Sequence, residues 1–587
     1  MSASEAGGQA MQSHRVRLTG PALLAVLLAG CSSGSVDDSP STGDGSSQVA
    51  GFDSDREGPA AAVEGAVEGG TVFMFSPYAD EFGSLDPTES YYPGNLAVLS
   101  GLVTRSLTQY VFDPEQGSVV VVPDIATDTG TANADFTEWT FTIRDGVRFE
   151  DGSEVTAKEV AFGIKRSFDR DRFPNGPDYS NQFFLDGDKY QGPYLSGLDY
   201  PGVVVEGDTL TLKMSQPFPE LPYWATWPAM GPIPERGSNP VTYRSHPLAT
   251  GPYKVDEFTP GRSLTLVRND QWDPATDPGR HAYPDRYVFR AGVPQEQIDA
   301  TILGDTAQAQ TSLGLANVRP SDYSEAQRSG RLTVGSNSCT VMFRPDFRDP
   351  HLADIRVRRA IAYAWPYHEV AKSRALFLAA EVFGGSILPP GFPGRREFNP
   401  LETPPGTTDP DRANALLRHA GYRPGEVELR WPYMTDEPAS AAAMTAMRSA
   451  FEVAGFSAEP FGTTQAKFPG VNFDPDAPIN LRAGQWCSDF LYGGQFFLPL
   501  FHSRSDRTGF FDEPAVNATI DRIRRLPIEE QPAAWGALDQ RLMTKYHPAI
   551  VIGYGSNGVL HGTRINGVHL NPTVGPILPD IHVRRDK

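Results

Sequence analysis

Several short patterns in the chain could carry chemistry, and most of them fail on spacing. Gly553-Tyr554-Gly555-Ser556-Asn557-Gly558 satisfies G-x-G-x-x-G after an apolar strand. A phosphate-binding turn needs a helix directly behind it, so that backbone N–H groups and the helix N-terminus face the anion. Gly562, Asn566 and Gly567 interrupt that helix. His368-Glu369 is followed by Lys372 where a second zinc-binding histidine would have to stand. Ser556 lacks the glycine at 554 that a nucleophile elbow requires. Seventy-two acidic residues allow carboxylate pairs anywhere, but none stands in a recognisable acid–base motif. The expectation is a chain that is not an enzyme and takes no metal or other cofactor.

The three cysteines are more informative. Cys31 closes Leu27-Leu28-Ala29-Gly30-Cys31, behind His14-Arg15-Val16-Arg17 and an apolar stretch from Leu18 to Gly30. That is a positive n-region, a short h-region and a lipobox-like end, the pattern of an exported lipoprotein whose cysteine thiol takes a diacylglyceryl group. About 13 residues fall short of the roughly 20 needed to span a bilayer as a helix. Residues 1–30 are expected to be cleaved, and 31–69, rich in Ser, Gly, Asp and Glu, to form a lipidated flexible tether. The body would then sit outside the cytoplasmic membrane, periplasmic or at the cell surface, held by its lipid. In such an oxidising compartment Cys339 and Cys487 form an even pair, either a bridge or two buried thiols.

Bulk properties narrow the partners. The chain of 587 residues should hold at least two lobes with separate cores. Its formal net charge is −21; residues 1–30 carry Arg15, Arg17 and Glu5, a net of +1, so the remainder carries −22. No Lys/Arg-rich run of useful length exists to replace counterions on phosphates, which excludes nucleic-acid binding.

The elements that would position these residues are short and mixed, as 52 prolines and 57 glycines dictate. Trp139, Phe141 and Ile143 alternate with polar residues before Asp145-Gly146, and Val147 and Phe149 continue the alternation, which predicts a hairpin. Thr156 and Glu159 have capping-box spacing, with Val160, Ile164 and Phe168 on one helical face. Asp354 before Val357, Ala360, Ile361 and Ala364, and Asp409-Pro410 before Ala413, Leu416, Leu417 and Gly421, predict two further helices. Pro548 to Ile552 reads as a buried strand.

Several of these segments together resemble the peptide/nickel-type, or family 5, extracellular solute-binding proteins of ABC transporters, over nearly all of the chain after Gly70. The blocks are Ile143-Arg144-Asp145-Gly146-Val147-Arg148-Phe149 with Val155-Thr156-Ala157, Thr250-Gly251-Pro252-Tyr253-Lys254-Val255, Arg356-Val357-Arg358 with Ala360-Ile361, the Ala413–Gly421 helix end, and Trp486-Cys487-Ser488-Asp489. The resemblance implies an α/β, two-lobed periplasmic-binding-protein-like fold (type II/cluster C-like) with a ligand cleft between the lobes. The first lobe would span 70–336 with an extra subdomain, the second 337–555, and 556–587 would return to the first. Lobe crossings are expected near Ser336–Thr340 and Gly553–Gly558.

It implies a monomeric substrate-binding lipoprotein of an importer, capturing oligopeptides or similar amine-bearing solutes and delivering them to ABC permease subunits. The alternatives are the same fold with a nickel chelate, haem or oligosaccharide as cargo, or an extracellular hydrolase. Related peptide binders bridge a Cys-Thr to the cysteine of Trp-Cys-x-Asp, which here are Cys339-Thr340 and Cys487. By the same resemblance Asp489 pairs with the ligand's α-ammonium, and Trp486 either lies along the ligand or packs in the core. Arg482 corresponds to an arginine near the ligand carboxylate in relatives that place Arg-Ala-Gly directly before Trp-Cys, whereas here Gln485 intervenes between Gly484 and Trp486. Asp346 stands where relatives often have Asn, and Tyr253 lies either at the lobe interface or in the core.

Overall fold

The computed structural model describes residues 48–373, 383–505 and 510–585. Cys31, the export signal and most of the expected tether lie outside the described residues.

The first lobe and the hinge share one eight-stranded sheet. In chain order the strands that matter here are β1 (Gln48–Phe52), β2 (Thr71–Phe75), β3 (Thr108–Asp113), β4 (Ser118–Pro123), β5 (Thr131–Ala132), β6 (Glu138–Thr142), β7 (Val203–Glu206), β8 (Thr209–Lys213), β9 (Tyr253–Thr259), β10 (Ser263–Arg268), β11 (Arg286–Arg290), β12 (Ser312–Asn317), β13 (Leu332–Pro345), β14 (Glu428–Leu429), β15 (Pro432–Met434), β16 (Ser457–Ala458), β17 (Phe461–Thr463), β18 (Leu481–Cys487) and β19 (Ile550–His561). The large sheet runs β18-β13-β19-β12-β2-β11-β10-β9. Strands β5-β6-β8-β7 form a separate four-stranded sheet, within the range in which a subdomain is expected, and β14-β16 and β15-β17 are small two-stranded pairs further along the chain.

Two cores follow this division. Val72, Met74, Leu264, Leu266, Tyr287 and Leu313 are buried together in the first lobe, and Leu578, Ile581 and Val583 of the C-terminal segment join them. Val357, Ile361, Leu417, Trp431, Phe451 and Ile550 are buried in the second. A third cluster is continuous between the lobes. It runs from Trp139, Phe141, Ile164 and Trp224 of the subdomain to Phe490, Tyr492, Phe497 and Trp535 of the second lobe.

The long antiparallel strands β13 and β19 connect the lobes. Leu332–Ser336 pair with Leu560–Ser556 beside the first lobe, and Thr340–Phe343 pair with Tyr554–Ile550 beside the second. The register breaks between Ser336 and Thr340, where Ser338 takes φ +53°, a left-handed conformation uncommon for a side chain other than glycine. The residues at which crossings were expected face each other across this break.

The local signals for helices hold. Ala157–Arg166 starts at a full Thr156/Glu159 capping box and buries Val160 and Ile164. Asp354 caps Ile355–Ala364 through the Arg356 N–H, and Asp409 caps Pro410–His419. Three expectations change. The predicted hairpin does not form: β6 pairs with β8, more than sixty residues on, while Val147–Val155 folds into a tight loop closed by Phe149 N–H to Ser153 O at 2.9 Å. Alternation had identified a half-buried strand without identifying its partner. The strand at 550 continues to His561 and absorbs the Gly553–Gly558 pattern; at Gly555 a Cβ would lie 2.2 Å from Asn337 Oδ1, so a close approach explains that glycine.

The expected free tether is also shorter than 31–69. β1 adds in parallel to β4, the valine-rich strand Ser118–Pro123, and covers its edge. Further on, Ala60 N–H donates to Asp277 O, Val63 N–H to the Tyr283 hydroxyl and Gly69 N–H to Tyr283 O. Residues 48–69 are thus part of the first lobe's surface.

Candidate functional site

β18 is an edge strand laid along β13, with Cys487 directly opposite Cys339 and Trp486 opposite Thr340. The two cysteines form a disulfide that closes a separation of 148 residues. Just beyond it, Ser488 N–H donates to Ser338 O at 3.2 Å, and the Ser338 hydroxyl lies 3.1 Å from Ser488 O. The segment carrying Asp489 is therefore fixed to the hinge by one covalent and two hydrogen-bonded links.

From there Asp489 reaches the opposite lobe. Its Oδ2 accepts from the Tyr179 hydroxyl at 2.7 Å and from the Tyr91 hydroxyl at 3.2 Å. Tyr91 precedes the helix Pro93–Val98, and Tyr179 opens the short helix Tyr179–Phe183. Burial, and then the negative charge of Asp489, push the Tyr179 phenol far above its ordinary range, so it remains a donor. Its oxygen also lies 3.2 Å from Gln495 Oε1.

Aromatic rings surround this contact. Tyr179 packs on Phe490 at 4.8 Å and on Trp224 at 5.3 Å between centroids, and Tyr91 on Trp227 at 5.7 Å. Trp486 is half-buried and donates its indole N–H to Gln495 O at 2.7 Å. A carboxylate flanked by phenols and low-dielectric rings suits a ligand ammonium, because charge-assisted hydrogen bonds strengthen where water is sparse.

The remaining residues singled out in the sequence do not join Asp489 and Trp486. Arg482 is 4% exposed and spends its guanidinium inside the second lobe, on Asn472 O at 2.9 Å, Asp474 O at 2.8 Å and Pro475 O at 3.3 Å. Asp346 lies 3.9 Å from Arg482 but is engaged by Arg348, through the backbone N–H at 2.9 Å and the side chain at 2.8 Å. Both serve the turn and loop behind the strand. Tyr253 is wholly buried in the first-lobe core, donates to Pro284 O at 2.8 Å and meets Tyr287 edge-on. That places it in the core, the second of the two positions considered.

Tyr91, Tyr179, Gln495, Trp224 and Trp227 were not anticipated. The only local signal is the aromatic density of Tyr223-Trp224-Ala225-Thr226-Trp227, more than a four-residue helix needs for packing. No spacing rule connects tyrosines 310 or 398 residues away to an aspartate. Among the described residues no group of three or more His, Cys, Asp or Glu is placed to hold a metal, and no helix is long and apolar enough to cross a membrane.

Behind the hinge, Asp539 is wholly buried and accepts from Ser386 Oγ at 2.6 Å, Ile387 N–H at 2.9 Å and Leu388 N–H at 3.1 Å. That segment holds both hinge strands: Thr340 donates to Ile387 O, and the Tyr554 hydroxyl donates to Ser386 O. Burial pushes the Asp539 carboxyl up to about 6 despite these donors.

Two lobes joined by a paired-strand hinge, with a charged group of one lobe presented to the other, define a solute-binding protein. Residues 120–507 match the model of the bacterial extracellular solute-binding proteins, family 5 (middle region), and the chain belongs to that family, which is defined by solute binding and not by catalysis. The dipeptide-binding protein of Escherichia coli (strain K12) is 23% identical over 350 residues, 55% of this chain and 59% of that protein. The oligopeptide-binding protein OppA of Bacillus subtilis (strain 168) is 30% identical over 199 residues, 31% of this chain and 34% of that protein. Matched regions thus span little more than half of these relatives' length at most. Among solved structures, clavulanic acid biosynthesis oligopeptide binding protein 2 superposes with a TM-score of 0.78 at 23% identity, covering 91% of this chain and 99% of that one. An unliganded open form of the periplasmic murein tripeptide binding protein MppA gives 0.73 at 19%, covering 88% and 98%. At these identities the structures establish the fold.

Proposed function

We propose that the chain is the solute-capturing subunit of an ABC-type importer, and that it takes peptides or similar solutes bearing a free ammonium. The observation that carries this reading is Asp489. Its carboxylate projects from the hinge-bound end of β18 and accepts two phenolic hydrogen bonds from the other lobe, the place where an ammonium would be enclosed as the lobes close. The names of the relatives, dipeptide- and oligopeptide-binding proteins, support the same cargo class. In this reading lobes 70–336 and 337–555 swing about the paired strands, and a monomer anchored through lipid on Cys31 hands its cargo to membrane permease subunits at the outer face of the cytoplasmic membrane.

Calorimetry with a library of short unblocked peptides tests the cargo. Asp489→Ala should weaken a binding peptide by about tenfold or more, since truncating one partner of an enclosed charge pair costs about 2–5 kcal/mol. N-terminal acetylation of that peptide should weaken native binding comparably. A cargo that binds the Asp489→Ala variant as tightly as the native chain overturns the ammonium reading while leaving the family intact. The anchor is tested separately: Cys31→Ala should release the chain from membranes.

A further inference from the structure

The two halves of the hinge disulfide stand in different surroundings. Cys339 lies on the inner strand β13 and is 5% exposed. Cys487 ends β18, the edge strand of the large sheet, and is exposed, as is Gln485 two residues before it. Cys339 Sγ lies 3.1 Å from the carbonyl oxygen of Asn337, so a thiol formed at Cys339 has an acceptor already in place.

The bridge is not the main attachment of β18 to the sheet. The ladder from Cys339 and Cys487 to Pro345 and Leu481 pairs the two strands along their length, and Asn472 Nδ2 donates to Ala483 O at 2.6 Å on the far side. Beyond the bridge, Ser488 holds Ser338 by two hydrogen bonds, and Asp489 follows directly. Loss of the covalent link therefore falls on the segment that carries Asp489 and leaves the strand paired.

We propose that this bridge is a thiol-exchange site, at which an external low-molecular-weight thiol attacks Cys487 and so sets how firmly the Asp489 segment is held to the hinge. The attacking thiolate forms a sulfur–sulfur bond to Cys487 Sγ as the Cys339–Cys487 bond breaks. Cys339 leaves as a thiolate, takes a proton from water and faces Asn337 O. Return attack by Cys339 on the mixed disulfide restores the bridge and expels the thiol. Attack by a second external thiol instead leaves both cysteines reduced, and the two external thiols are oxidised to their disulfide. Access sets the direction, because the enclosed sulfur does not admit a thiolate from solvent. Exchange at Cys487 does not depend on what Asp489 binds.

Reduced glutathione at millimolar concentration tests it on the folded full chain at about pH 8, near the value at which a free thiol ionises. Iodoacetamide is added to trap free thiols before peptide mass spectrometry. Glutathione should appear on Cys487 and the trapping label on Cys339, about tenfold or more over the reverse arrangement, while circular dichroism stays native. A bridge that opens only as the dichroism is lost, or glutathione divided equally between the cysteines or placed chiefly on Cys339, overturns the site. Amide hydrogen exchange of the trapped chain reads the effect on the hinge: residues 486–490 should exchange about tenfold faster and 481–484 at the native rate. Native protection at 486–490, or protection lost along the whole strand, overturns the link to the Asp489 segment.

Discussion

The two ends of β18 differ in what they serve. At the Cys487 end the strand is bridged to β13 and presents Asp489 to tyrosines of the other lobe. At the Leu481 end, on the same strand, Arg482 turns back onto carbonyls of its own lobe. Trp486 and Arg482 are four residues apart, about 13 Å at 3.3 Å per residue. A charged side chain on a strand bordering a cleft is therefore not a cleft residue by position alone. What separates the two ends is where each charge finds its compensation. The terminal nitrogens of Arg482 are bonded within one lobe, and the two hydroxyls that meet Asp489 come from across the gap.

That contrast can be broken experimentally. The largest effect is expected from Arg482→Met, which removes the guanidinium's bonds to the Asn472, Asp474 and Pro475 carbonyls, the first of them buried, and leaves Asp346 less compensated. Stability in a denaturant titration should fall by about 3 kcal/mol or more, while peptide affinity of the folded fraction stays within about twofold. A selective loss of affinity at unchanged stability would instead place Arg482 in the cleft.

The next effect belongs to the hinge that both ends share. Asp539, raised to about 6, keeps its proton in the folded chain to higher pH than in the unfolded chain, where an Asp titrates near about 3.9. Between these values the folded state binds more protons, so this group's contribution to stability is present below pH 4 and is lost as the pH rises to 6. The loss is about 3 kcal/mol. Comparing unfolding free energies of Asp539→Asn and the native chain across that window should show the difference between them narrowing or reversing as pH rises, with a plateau above pH 7. A difference that does not vary with pH would mean that Asp539 titrates normally.

The smallest effect is expected from Tyr179→Phe. It removes one hydrogen bond to a carboxylate and keeps the ring packing, so peptide affinity should change by about 1–2 kcal/mol, less than for Asp489→Ala, with little change in melting temperature. An effect as large as that of Asp489→Ala would make the tyrosine an equal partner in cargo binding.

Much of the fold was legible because its signals are local. Capping boxes, Pro at the first helical position and apolar residues at helical spacing fixed the helices at 157, 355 and 410, since each signal acts within one turn. The pairing of β6 with β8 was not legible. Alternation reports a half-buried face, whereas the choice of neighbour depends on the whole sheet. The polar composition of residues 48–69 suggested free chain, yet a short polar segment can still be held by backbone hydrogen bonds to an exposed strand edge. At the site, the disulfide and the placement of Asp489 beside it followed from the family pattern. Tyr91 and Tyr179 did not, because contact across a cleft leaves no periodicity in the sequence. The inserted Gln485 was the one local warning about Arg482: side chains alternate along a strand, so one added residue reverses the face presented by everything before it.

The break in register at Ser336–Thr340 bears on how the lobes can move. β13 and β19 cross together and are hydrogen-bonded to each other on both sides of the break. Bending at the gap leaves either ladder whole, so no backbone pairing has to be sacrificed for the lobes to part. Ser488 is tied to Ser338 at the break itself, which sets Asp489, the next residue, beside the place where a bend would fall. In the proposed closure, a charge placed there would change its orientation while travelling little, so a cargo group held by it would not have to be released for the rest of the cleft to open.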